Sequence, residues 1–77
     1  MPAPAISVLK EFDSILVYVG DMMHSHVQLS SLRGVQSWKH GENNYGIQYV
    51  MDGGNMVCEY HDVVMWKAIL KRLDELI

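Results

Sequence analysis

Two connectors made of residues that tolerate a left-handed backbone divide the middle of this chain, and they constrain its fold more than any other feature. Gly41-Glu42-Asn43-Asn44 and Asp52-Gly53-Gly54-Asn55 separate three runs, Val35 to His40, Tyr45 to Met51 and Met56 to Tyr60. Each run carries valine, isoleucine or aromatic side chains suited to a pleated surface, and each connector suits a hairpin turn. The expected product is an antiparallel meander.

Pattern alone gives that meander a register. Centring the second hairpin on Gly53-Gly54 pairs Met51 with Met56, Tyr49 with Cys58 and Ile47 with Tyr60. Placing His40 opposite Tyr45 in the first hairpin sets Trp38 opposite Ile47. Trp38, Ile47, Tyr49, Met51, Met56, Cys58 and Tyr60 then share one apolar face, whereas a slip by one residue sends Trp38 to the other side. The same register gathers Val35, Val50 and Val57 on the opposite face, where water is expected. Three adjacent valines there make a candidate partner surface.

Outside the meander the signals vary in strength. Ser14 to Val19 reads as a strand that ends at the Gly20-Asp21 turn signal, and Val27 and Leu29 alternate with polar neighbours as in a short strand. For residues 6–12 the pattern fits a helix and a strand equally, because Ala5, Leu9, Phe12 and Leu16 share helical spacing in a segment that is short. Pro2 and Pro4 predict an extended, mobile end over residues 1–5. The last segment is the clearest. Asp62 is a suitable helix N-cap, and Val63, Trp66, Leu70, Leu73 and Ile77 recur at spacings of three and four, widened by Ile69 and Leu76. The expected architecture is a single α+β domain over residues 1–77. It comprises a small antiparallel meander of about four strands with one C-terminal amphipathic helix packed on one face. That order is widespread in short bacterial and phage proteins, which is a likeness of architecture only.

Size limits function. A chain of 77 residues with Cys58 as its one cysteine has no internal disulfide, so a metal, a partner or close packing must supplement a small core. The formal charge of −3 and six scattered cations do not make a phosphate-tracking surface, so no nucleic-acid partner is expected. No apolar run approaches the ~20 residues of a membrane span, and the N-terminus lacks a signal-peptide pattern. With a single thiol, the expected compartment is the cytoplasm.

Candidate chemistry is sparse. His24, His26, His40, Cys58 and His61 are possible metal ligands. His24-Ser25-His26 would present two imidazoles to one side of a strand, and Met22-Met23 beside them would suit copper(I). Structural zinc sites normally show two tight Cys or His pairs, which this chain lacks. As a nucleophile Cys58 is poorly placed, since Glu59 and Asp62 would raise its pKa. His61-Asp62 reads as a helix cap and Gly53-Gly54 as a turn, and no cofactor is implied. No catalytic residue is assigned, and an enzyme is not expected. The reading favours a small non-enzymatic protein-interaction module, a homodimer, with Val35, Val50, Val57, Met22 and Met23 as partner-binding residues. A phage- or mobile-element-type inhibitor that binds a host protein belongs to the same class. The alternative is a metal or small-ligand binder that uses His24, His26, Cys58 and His61.

Overall fold

The computed structural model describes residues 5–77, so of the mobile end expected over residues 1–5 all but Ala5 lies outside the described residues. Ala5 is tied down, because its carbonyl accepts the Gly20 amide at 2.8 Å.

Six strands form rather than about four, and they make two sheets. The first is a meander of β1 (Ile6–Glu11), β2 (Ser14–Val19) and β3 (Met22–Gln28). A single 3-10 turn, Leu29–Ser31, leads to the second meander of β4 (Leu32–His40), β5 (Asn44–Met51) and β6 (Gly54–Tyr60). All strand pairs are antiparallel. The helix α1 (Val63–Leu76) follows, with the Asp62 carboxylate accepting the Val64 and Met65 amides as the N-cap pattern predicts. Residues 6–12, ambiguous from pattern, are mostly strand because Leu9 and Val8 find cross-strand partners in Leu16 and Val17. Pairing decides what a short apolar run cannot decide alone.

The inner faces of both sheets meet in one core. Val8, Ile15, Val17 and Val27 of the first sheet are buried with Tyr45, Ile47, Tyr49, Cys58 and Tyr60 of the second. Ile69 and Leu73 of α1 complete the core. The buried centre of the helix is therefore Ile69 and Leu73, with Trp66 and Leu70 half-buried and Val63 and Ile77 at the exposed ends of the expected stripe. The helix packs on β1, β5 and β6. Arg72 fastens it to the first sheet by donating to the Val8 carbonyl at 3.1 Å, and Trp66 Nε1 donates to the Gly46 carbonyl at 3.0 Å.

The register of the second sheet corrects the expected one in two ways. In the β5–β6 hairpin Met51 pairs with Gly54 around Asp52-Gly53, so Tyr49 meets Met56 and Ile47 meets Cys58. This is a shift of two residues, which leaves every side chain on its expected face. In the β4–β5 hairpin His40 pairs with Asn44 around a three-residue loop, so Trp38 falls opposite Gly46 and Val35 opposite Tyr49. This shift of one residue turns β4 over. Trp38 leaves the apolar face for the outer one, and Val35 leaves the expected valine patch for the inner side. The turn chemistry accounts for the three-residue loop, since Gly41 takes φ 75°, a value that a glycine adopts without strain.

Candidate functional site

The outer face of the first sheet is apolar where water would be expected. Cross-strand pairing sets Leu9 beside Leu16 and Tyr18 beside Met23, one row apart on that face. The reason lies in β2, whose Ile15-Leu16-Val17-Tyr18-Val19 run is apolar at every position, so a core on one side leaves apolar groups on the other. Leu9 is 44% exposed and Met23 55%, while Met22, at the start of β3, is 76% exposed. Ser7, Glu11, Ser14 and His26 border the patch on that face; His26 Nε2 and the Ser14 hydroxyl lie 2.9 Å apart.

One end of this sheet carries a second unusual feature. The two turns of the first meander are alike, each with two residues ending in aspartate: Phe12-Asp13 and Gly20-Asp21. The first position of each has a positive φ, 62° at Gly20 and 52° at Phe12. Glycine bears this without penalty, whereas for a bulky side chain it costs on the order of 1 kcal/mol. Phe12 is also fully exposed. The turn is held in place, because the Asp13 carbonyl accepts the Leu29 amide at 2.6 Å and its carboxylate accepts the Ser30 amide at 3.3 Å. Hydrogen bonding from Ser30 also holds the Asp13 carboxyl below the usual range.

The residues singled out from sequence disperse. Val35 faces inward and is half-buried, while Val50 and the 51%-exposed Val57 stay on the outer face of the second sheet. Val57 there pairs with Gln48, and Val50 with Asn55 and Gly34, so the three valines do not form one patch. Met23 adjoins Tyr18 and joins the apolar face of the first sheet, with Met22 next in the strand. Leu9 and Leu16 were missed because their pairing depends on β1, which pattern left unassigned.

The candidate ligands disperse as well. A bulge opposite Val17 and Tyr18 leaves His24 unpaired in the ladder, and its ring stacks on Tyr60 with centroids 4.9 Å apart. Tyr60 Oη lies 3.3 Å from His24 Nδ1, which links the two sheets. His61 Nδ1 is 3.0 Å from the Asn43 carbonyl, His26 lies on the outer face of the first sheet, and Cys58 is buried. Burial raises the Cys58 thiol above its ordinary pKa, the reverse of what a nucleophile requires. Burial likewise pushes Tyr49 up to about 12. Among the described residues no three His, Cys, Asp or Glu side chains converge as a group that could hold a metal ion.

A cleft of 330 Å³ opens between β4 and the C-terminal half of α1, walled by Leu29, Leu32, Val35, Leu70, Leu73 and Ile77, with Arg33 and Asp74 also in its lining. Arg33 makes a two-pronged ion pair with Asp52, both bonds at 2.6 Å, which holds the Asp52 carboxyl below its ordinary range. No helix among the described residues is long and apolar enough to cross a membrane. No protein-family description, curated protein or solved structure matches the chain.

Proposed function

We propose that this chain is a non-enzymatic protein-interaction module that works as a homodimer, with the outer face of the first sheet as the contact surface. The observation that supports this reading is the apolar patch of two adjoining cross-strand pairs, Leu9–Leu16 and Tyr18–Met23, on that face. A second copy is the occupant that the area favours. The exposed surface of Leu9, Phe12 and Met23 is on the order of 400 Å² per copy, so a two-fold pair removes about 800 Å² from water, the size of a weak, reversible contact. A two-fold contact needs a self-complementary patch, and apolar side chains flanked by Ser7, Ser14 and His26 supply one, with Glu11 the one charged side chain of that face, at its end. Met23 at its border can adapt its shape to the facing sheet.

Sedimentation equilibrium tests the reading. The expected result is a species of twice 8.8 kDa at high micromolar concentration, reduced to the monomer by Leu9→Lys with an unchanged circular dichroism spectrum. A wild-type chain that stays at 8.8 kDa throughout contradicts it.

A further inference from the structure

We infer that the free edge of β4 and the adjoining cleft form a second binding site, which takes an extended acidic peptide segment as a fourth strand of the second sheet. β4 is nine residues long, pairs among the described residues only with β5, and has no fully buried residue. Its outer edge therefore presents backbone donors and acceptors without a strand partner, the arrangement that strand addition uses.

Strand addition also needs a pocket for side chains of the incoming segment, and the cleft lies where one is required. Because α1 is fastened to β1 by Arg72 and to β5 by Trp66, its C-terminal half stands away from β4. The resulting cleft lies on the inner side, the side that Val35 faces. It has room for one large apolar side chain. Ser37 and Lys39 follow Val35 on the same side at the two-residue period of a strand.

Charge selects the occupant. β4 holds Arg33, Lys39 and His40 and no acidic residue. A second copy pairing antiparallel about Gln36 would set each Lys39 opposite Arg33, which gives Lys39 no complementary charge. An acidic segment is complementary. Arg33 is already paired with Asp52, and Asp74 lines the cleft, so the cleft end favours an apolar group over an acid. Lys39 is exposed and has no ion-pair partner among the described residues, so acid is favoured at its end. An antiparallel strand then places a glutamate opposite Lys39 and, four residues later, a leucine-like side chain opposite Val35. The recognised pattern is Glu-x-x-x-Leu in an extended segment. This site is separate from the homodimer face and does not rest on it.

The test is an NMR titration of the isotope-labelled chain with a nine-residue peptide carrying Glu-x-x-x-Leu among threonine and serine. The expected shifts fall on residues 32–40 and 70–77, and Lys39→Glu weakens binding at least tenfold. Of two peptides N-methylated at alternate residues in opposite phases, one should bind at least tenfold more weakly, because it lacks the amides that face the edge. No shifts at millimolar peptide, shifts confined to residues 7–18, or equal binding by both N-methylated peptides would each overturn the site. None of these outcomes alters the sedimentation result, so the two proposals fail separately.

Discussion

The two sheets dispose of their outward aromatic side chains in opposite ways. On the second sheet Trp38 lies over Gly46, whose missing side chain makes room for the ring. The rest of that face is largely polar, with Gln36, Gln48, Asn55 and Glu59 beside Val50 and Val57. On the first sheet Phe12 stands clear of the surface on a backbone conformation that disfavours it, next to a face made of Leu9, Leu16, Tyr18 and Met23. Trp38 is seated on Gly46 and is 37% exposed, whereas Phe12 is fully exposed. A sheet that displays an aromatic ring on a fixed turn, beside further apolar groups, has surface left over for a partner. The difference is why the proposed contact is placed on the first sheet.

The largest effect that sharpens this contrast is expected from Gly46→Ala. A Cβ at position 46 would overlap the Trp38 ring, so the ring must swing off the strand, at a cost of about 1–2 kcal/mol in chemical denaturation. In a Trp38→Ala background the same substitution should cost almost nothing. Equal costs in both backgrounds would break the claim that Trp38 is seated on Gly46. On the first sheet the expected sign is reversed. Phe12→Gly converts the Phe12-Asp13 turn to the sequence of its Gly20-Asp21 counterpart and relieves the positive φ. The melting temperature of the dilute chain should rise by the equivalent of about 1 kcal/mol. A fall would mean that Phe12 packs against its own chain.

pH separates buried groups of the second sheet from the turns that tie both sheets together. Tyr49, pushed up to about 12, and the Tyr60 hydroxyl and Cys58 thiol, both raised by burial, prefer their neutral forms in the folded chain. Their folded pKa values exceed the unfolded ones. This contribution is therefore complete below the ordinary thiol value near 8.5 and is lost as pH rises beyond it. Asp13 and Asp52 have the opposite sign. Hydrogen bonds from Ser30 and from Arg33 lower their pKa values, so their contribution is present above about pH 4 and is lost as pH falls through the folded values. Thermal melts should show a plateau between these limits, with the acid side the smaller loss because both carboxylates are exposed. Tyr49→Phe should lessen the alkaline fall, and it also removes a buried hydroxyl that has no hydrogen-bond partner among the described residues. An alkaline fall unchanged by Tyr49→Phe would count against its burial.

Much of this fold is legible in the sequence, and the errors follow from parity. The strands around Ile47, Tyr49, Cys58 and Tyr60, the Asp62 cap and the helix faces of Ile69 and Leu73 are all marked by periodicity and turn residues. Moving the Met51 partner from Met56 to Gly54 is a two-residue shift, so the sequence reading still puts the right side chains in the core. Moving the His40 partner from Tyr45 to Asn44 is a one-residue shift, and it exchanges Trp38 for Val35. A glycine-containing connector announces a turn without fixing whether it holds three or four residues, and a whole face depends on that count. The apolar outer face of the first sheet is hidden from pattern for a related cause. Leu16 and Tyr18 were visible as apolar residues on both sides of Val17, but their neighbour Leu9 lies in a segment whose strand state depends on long-range pairing. Met22 and Met23 are exposed, and of the three valines only Val35 changes face, because only β4 shifts by one residue.

The most direct test compares the two outer faces in one sample. Methyl resonances of Leu9, Leu16 and Met23 report the first sheet, and those of Val50 and Val57 report the second. With a soluble paramagnetic agent, the account expects the first set to lose its relaxation enhancement as the chain is concentrated into the high micromolar range, while the second set keeps its own. Protection of Val50 and Val57 instead, or enhancement of all five that does not change with concentration, would contradict it.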